Sequence, residues 1–169
     1  MKKLLVALLV VVSTSAMAQQ KFGHVNSQRL LDTMPSRKAA IETLRKFEID
    51  GSKELEEMQA DLEKAYSDYD VKKNGMSPVI QKIEEEKIMR KQQSLQDREQ
   101  SLNREMQAVS QDLNTPILDR IQRAVKIVAE RKKLSYVIDE TTTLYFAGGV
   151  DLTPEVMIEL LRLDKEETK

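Results

Sequence analysis

The chain of 169 residues contains no cysteine and no tryptophan, and it has only five glycines, four prolines and 4% aromatic residues. Without cysteine, neither a disulfide framework nor a lipid anchor on an N-terminal cysteine is available to it. Charged residues, by contrast, make up 33% of the chain. This balance is atypical of a compact globular domain and favours long helices with much exposed surface.

The sequence also lacks every residue arrangement that would indicate an enzyme. It has no His-Glu-x-x-His, no Gly-x-Ser-x-Gly, no Walker loop and no dinucleotide fingerprint. The single histidine, His24, lies in a predicted strand and is interpreted as a packing or surface residue. Acidic runs such as Glu84–Glu86 lie on predicted exposed helix faces, where nothing desolvates them. We therefore expect no enzymatic activity, no metal and no cofactor.

The formal net charge is −1, from 27 basic and 28 acidic residues. A general nucleic-acid-binding protein would carry a strongly basic footprint, so no nucleic-acid partner is expected.

The first residues are typical of a secretory signal peptide. Lys2 and Lys3 form a basic start, Leu4–Val12 is an apolar stretch too short to span a bilayer, and Ala16–Ala18 offers small residues for cleavage. This pattern predicts cleavage after Ala18 and export of the mature chain beyond the inner membrane.

The segment from Ser36 to Leu113 predicts a long antiparallel helical hairpin. Its apolar residues recur at alternating spacings of three and four, which is typical of the seam between two helices. Glu99 fills the one skipped seam position of the second arm. The predicted seam residues are Leu55, Met58, Leu62, Ala65 and Tyr69 on the first arm and Leu95, Leu102, Met106, Val109 and Leu113 on the second.

The break between the arms predicts a tip. Asn74-Gly75 is expected to end the first helix in a left-handed conformation, and Ser77-Pro78 to cap the second. Folding about this tip brings Leu62 near Arg90.

Charge is distributed unevenly along the hairpin. Residues 54–70 contain seven acids and one lysine, whereas residues 72–91 contain six basic residues and three acids. Two interpretations stay open: charge complementarity between the arms, or a basic tip that meets anionic headgroups or acidic segments of a bound protein. The tip residues that are candidates for contact with such a protein are Lys72, Lys73, Met76, Val79, Ile80 and Lys82.

Gly51 interrupts the first arm. A glycine inside a helix costs about 1 kcal/mol relative to alanine. It is interpreted either as a local weak spot or register adjustment, or as a hinge that lets the outer arm swing.

The segments that flank the hairpin predict a small β-rich body, made of residues 19–35 and 114–169. Strands are expected at 21–26, 134–139 and 144–147, the last ended by Gly148-Gly149. Ser27, Ser36 and Thr153 are expected to be helix N-caps, and residues 114–116 a kink or a fresh helix start.

So small a body buries little apolar surface alone, which predicts an obligate oligomer. Candidate residues of this oligomerisation body are Phe22, Val25, Val137, Ile138, Leu144 and Phe146. The fold class is mainly α with a small β body, from which the hairpin is expected to project as a tentacle.

Several segments occur in the order found in one family. Phe22–Ser27, the long hairpin, Ile121–Val128, Tyr136–Asp139 and Asp151–Val156 together resemble the OmpH-like (Skp) family of periplasmic chaperones. The resemblance covers essentially the whole mature chain, although each motif is weak alone. It implies a homotrimer whose tentacles enclose a cavity, acting as an ATP-independent holdase for unfolded outer-membrane proteins. Because this chain is slightly acidic whereas the best-known member is strongly basic, no lipopolysaccharide site is carried over.

Two other functions are compatible with the sequence. The coiled coil could be an envelope spacer or adaptor that binds one folded partner, or the basic tip could bind a lipid surface.

Overall fold

A computed structural model describes residues 22–167, so the predicted signal peptide and its cleavage site after Ala18 lie outside the described residues. The described chain forms helices and a three-stranded sheet. It divides into two compact units: a hairpin unit, Ala39–Asn114, and a sheet unit, made of the described residues up to Lys38 and from Thr115 onward. The predicted fold class, mainly helical with a small sheet, is confirmed.

In chain order the elements are β1 (Phe22–Val25), α1 (Ser27–Thr33), α2 (Pro35–Lys72), a 3-10 turn (Lys73–Gly75), α3 (Pro78–Arg131), β2 (Tyr136–Asp139), β3 (Val150–Asp151) and α4 (Thr153–Glu167). The two long helices α2 and α3 contain 38 and 54 residues. None of the described helices is long and apolar enough to span a membrane.

The first two helices both begin earlier than the predicted caps imply. The side chain of Asn26, not Ser27, accepts the amide hydrogen bond that caps α1. Pro35 begins α2, because its fixed φ suits the first helical position and its missing N–H is not needed there. Ser36 is therefore inside the helix and is not its cap; its backbone N–H donates to Asp164 Oδ2 at 3.1 Å.

Helix α3 continues through Pro116, so the predicted fresh helix start at residues 114–116 is wrong. A proline inside a helix costs about 3 kcal/mol. The residues that follow it bury a continuous apolar face, and this burial outweighs that cost. The face consists of Ile117, Ile121, Ala124 and Val128.

The sheet has the order β2-β1-β3, with both neighbours parallel to β1. The strand predicted at residues 144–147 is wrong, because the third strand is Val150–Asp151. Gly148 and Gly149 adopt φ values of 90° and 105°, a region that favours glycine, so they turn the chain before it pairs with β1.

Helix α4 begins at Thr153, so the predicted N-cap at this residue is displaced by one position. Asp151 Oδ1 accepts the Thr153 N–H at 2.8 Å and satisfies the first turn. A Cβ at Gly23 would lie 2.8 Å from Leu152 Cδ1, so glycine is required where α4 enters against β1. The largest fully buried side chains of this unit are Leu30, Met34, Val128, Leu152, Thr153, Val156 and Leu160.

In the hairpin unit the predicted seam residues are all buried or half-buried. One correction concerns the second arm, where Glu99 is exposed and Arg98 lies at the seam with 30% of its side chain exposed. The predicted pairing of the two arms is confirmed. Asp61 and Lys91 form an ion pair between the arms, and each is one residue away from a member of the predicted pair Leu62 and Arg90.

The tip differs in its backbone from the prediction. Neither Asn74 nor Gly75 has a positive φ, so the left-handed ending is wrong and a 3-10 turn takes its place. The second helix starts as predicted at Pro78. Ser77 Oγ accepts the Ile80 N–H at 3.4 Å and acts as the cap.

Candidate functional site

The hairpin tip is an ordered turn. The Met76 N–H donates to the Lys73 carbonyl at 3.2 Å, and Gln81 Nε2 donates to the same carbonyl at 2.8 Å. Gln81 Nε2 also reaches the Met76 carbonyl at 3.4 Å. These bonds hold the turn through one side chain of α3, so the tip presents a defined surface.

Apolar side chains cover much of this tip. Val79 is 69% exposed and Ile80 is 45% exposed, whereas Met76 is half-buried. Val71 and Ile83 are also exposed, and the sequence reasoning did not include them among the candidate residues. We call Val71, Val79, Ile80 and Ile83 the tip patch. This exposed apolar area is available for contact with apolar side chains of another protein.

The lysines at the tip are partly neutralised. Lys72 lies 4.0 Å from Asp68 and Lys73 lies 2.5 Å from Asp70. No ion pair involves Lys82 among residues 22–167. Acids of α2 therefore offset two of the three lysine candidates, and the basic tip stays a prediction.

Charge complementarity between the arms is present as well. Arg98 donates to both carboxylate oxygens of Glu54, at 2.8 and 2.9 Å, and also to Glu105 at 2.8 Å. The hydrogen bond from Arg98 and its positive charge lower the pKa of Glu54. At the outer end, the Tyr69 hydroxyl donates to Glu85 at 2.5 Å, and this bond raises the pKa of Tyr69. Part of the charge pattern thus holds the two arms together.

Gly51 lies inside the continuous helix α2 and is buried. A Cβ at this position would lie 3.2 Å from Leu102 Cδ2, closer than most real Cβ contacts. The glycine therefore allows Leu102 to approach the backbone of the opposite arm. The hinge at Gly51 stays a prediction.

The sheet unit carries a second candidate surface, which we call the outer sheet face. Side chains alternate along a strand, so Phe22 and His24 lie on one side of β1 and Gly23 and Val25 on the other. Phe22 stacks on Tyr136 with ring centroids 5.2 Å apart, and these two side chains are 54% and 62% exposed. This stacked pair is apolar surface that the described chain leaves uncovered.

The predicted oligomerisation residues divide between the two sides. Val25 is buried in the core, and Val137 is the register partner of Gly23 on the core side. Ile138 is the register partner of His24 on the outer side. Leu144 and Phe146 lie in the loop before β3, where Leu144 is fully exposed and the Phe146 ring lies 4.8 Å from the His24 ring.

His24 contacts residues that are far from it in the sequence, so the residues around it in the chain could not predict these contacts. Its Nδ1 shares a 2.6 Å hydrogen bond with Glu140 Oε1, and Asn26 Nδ2 donates to Glu140 Oε2 at 3.0 Å. His24 pairs in register with Asp151 across β1 and β3. Hydrogen bonds from the side chain and backbone of Thr153 lower the pKa of Asp151.

The described fold, a long helical hairpin and a small parallel sheet, has a counterpart of known structure. A crystal structure from Caulobacter crescentus that carries the OmpH-like name matches this fold with a TM-score of 0.75, covering 86% of each chain at 18% identity. The family model described as "Outer membrane protein (OmpH-like)" matches residues 21–160. The chain belongs to this family.

Individual relatives carry a more specific name. The chain is 26% identical over 161 residues to the chaperone protein Skp of Photorhabdus laumondii, covering 93% of this chain and 98% of that protein. It is 28% identical over 160 residues to the chaperone protein Skp of Escherichia coli K12, with the same coverage.

Proposed function

We propose that this protein is an ATP-independent periplasmic holdase chaperone, which binds unfolded outer-membrane proteins and prevents their aggregation. The observation that carries the proposal is the end-to-end similarity to proteins named chaperone protein Skp, which extends over 98% of their length. Export to the periplasm rests on the predicted signal peptide, and the family match begins at residue 21, shortly after the predicted cleavage site.

Client proteins would be bound at the hairpin through many weak apolar contacts. The tip patch offers exposed Val71 and Val79, and further exposed apolar side chains of the hairpin unit are Ile41, Ile49, Tyr66 and Met89. Contacts of this kind tolerate different client sequences, and their combined affinity exceeds that of any one contact. Lys82 adds positive charge for acidic client segments.

The working form would be a homotrimer. The sheet unit buries a small core, and it leaves the stacked Phe22 and Tyr136 rings exposed on the outer sheet face. Covering such a face between subunits would remove this apolar area from water, at roughly 25 cal/mol per Å². The cavity between the hairpins of such a trimer is the part of the proposal that rests on the family resemblance alone.

The first experiment measures aggregation. An unfolded outer-membrane barrel protein is diluted from urea into buffer with purified mature protein and without nucleotide, and light scattering is followed. The holdase suppresses scattering at near-stoichiometric trimer. Val79→Ser combined with Ile80→Ser weakens suppression, whereas the control Ile158→Ser removes an isoleucine of α4 that is 73% exposed and leaves suppression intact. Unchanged aggregation with wild-type protein would refute the proposal.

The second experiment measures the oligomeric state. Sedimentation of the wild-type protein gives a trimer, and Phe22→Ser combined with Tyr136→Ser shifts it toward the monomer. If the wild-type protein is a monomer at all concentrations, the proposed cavity between subunits is contradicted. A dimer that captures one folded protein would instead support the envelope adaptor.

A lipid surface is the second candidate function, because exposed Val79 and Ile80 precede Lys82 by three and two residues in α3, and Lys82 has no ion pair among the described residues. Charge reversal at Lys72, Lys73 and Lys82 then abolishes salt-sensitive binding to vesicles that contain anionic lipid. Binding that is insensitive to these substitutions rules out this role for the tip.

A further inference from the structure

Three potential metal ligands meet at the edge of the outer sheet face. His24 comes from β1, Glu140 from the turn after β2, and Asp151 from β3, and one ligand atom of each lies within 4.8 Å of the others. His24 and Asp151 are register partners in the parallel sheet. More than 100 residues separate His24 from the other two, so only the fold brings them together.

Each carboxylate is held in place by a bond to one of its oxygens. Asn26 Nδ2 donates to Glu140 Oε2 at 3.0 Å, which leaves Oε1 directed at the His24 ring. The Thr153 N–H holds Asp151 Oδ1 at 2.8 Å. Bonds of this kind orient ligands around metal ions and increase affinity. The side chains of His24 and Glu140 are 14% and 23% exposed, so they are shielded but remain open to an entering ion.

We propose that His24, Glu140 and Asp151 bind a divalent transition-metal ion. An imidazole nitrogen with two carboxylate oxygens suits zinc and its neighbours, whereas calcium and magnesium prefer oxygen ligands alone. The two carboxylates balance the charge of the ion, and the proton shared between His24 and Glu140 leaves when the ion binds.

Binding requires the ligand atoms to move. Two atoms bound tetrahedrally to one zinc ion at about 2.1 Å are about 3.4 Å apart, so the widest present separation of 4.8 Å must close by roughly 1.4 Å. Asp151 is exposed, so packing does not block this movement. A bound ion would link β1, β3 and the turn after β2, because each of them supplies one ligand.

The alternative is a structural pair of His24 and Glu140, with Asp151 serving only to cap α4. That arrangement binds no ion. The two cases are separable because His24 is the only histidine in the chain, so in tag-free protein every imidazole signal belongs to it.

The test is a zinc titration of the full mature protein carrying ¹⁵N-labelled histidine, followed by NMR, with magnesium as the comparison ion. We expect the imidazole nitrogen resonances to shift and saturate at one zinc per chain, with no response to magnesium. Thermal unfolding, measured in parallel, moves to higher temperature with zinc because the ion binds only the folded form.

The variants Glu140→Gln and Asp151→Asn are expected to lower zinc affinity at least about tenfold, while their far-ultraviolet circular dichroism stays that of wild type. Asp32→Asn removes the same charge from an exposed site on α1 and leaves zinc binding unchanged. No zinc-dependent imidazole shift in wild type overturns the site. A shift that both ligand variants retain at full affinity overturns it as well, since it would show His24 binding zinc without its carboxylates.

Discussion

The contact between Gly51 and Leu102 leads to the most specific prediction. Leu102 is 9% exposed and packs where the first arm has no side chain. A Cβ at residue 51 would meet its two methyl groups at 3.2 and 3.4 Å. Gly51→Ala therefore has two opposing effects, a gain in helix propensity and a close contact with Leu102.

Their magnitudes are similar. Alanine inside a helix is favoured over glycine by about 1 kcal/mol, and overpacking costs about 1–3 kcal/mol. The contact requires Leu102 to move only a few tenths of an ångström, so we take the lower end of the overpacking cost. The expected net effect of Gly51→Ala in wild type is close to zero. Leu102→Ala alone destabilises the hairpin unit by about 2–3 kcal/mol, since burial of leucine side chains contributes 2–5 kcal/mol.

In the Leu102→Ala background the close contact is gone, and Gly51→Ala should stabilise by the full amount of about 1 kcal/mol. The coupling between the two substitutions is then about 1 kcal/mol, larger than the error of about 0.3–0.5 kcal/mol expected for independent sites. Amide hydrogen exchange of residues in the hairpin unit measures these local free energies.

Two results would refute this reasoning. Additive effects would show that residues 51 and 102 do not touch, and full stabilisation by Gly51→Ala alone would show that Leu102 yields without cost. If Gly51→Ala also reduces chaperone activity without changing stability, the predicted hinge gains support over a packing role.

Three further predictions concern charged groups. Asp164 is 2% exposed and pairs with Arg120 at 3.1 Å, so Asp164→Asn should destabilise the protein by about 1–3 kcal/mol in urea unfolding, and an unchanged midpoint would contradict this. The hydrogen bonds from Arg123 and Arg120 lower the pKa of Glu167 to about 2 in the folded protein, from an ordinary value of 4.5. The ionised Glu167 therefore stabilises the fold at pH values above 4.5, and this stabilisation is lost as the pH falls toward about 2. Glu167→Gln should therefore flatten the loss of stability in this pH range, and identical pH profiles for the two proteins would exclude it. Arg98→Leu should speed amide exchange in the hairpin unit, because it leaves Glu54 and Glu105 without the guanidinium that pairs with both; unchanged or slower exchange would refute this.

The helical hairpin could be predicted because its signals are local. Apolar spacing, the scarcity of glycine and the Ser77-Pro78 cap all act within one or two helical turns. The same spacing could not choose between Arg98 and Glu99, because steps of three and four both continue a seam. The choice depends on Glu54 of the opposite arm, which accepts hydrogen bonds from Arg98.

The sequence by itself determined the helices, the seam, two of the three strands and the family resemblance, since each depends on neighbouring residues or on motif order. The tertiary structure decided where the chain pairs after Gly148-Gly149 and how α3 continues through Pro116. It also decided that His24 meets Glu140 and Asp151. These outcomes depend on contacts between segments far apart in the chain, where burial and hydrogen bonding outweigh local preference, and no local pattern records them.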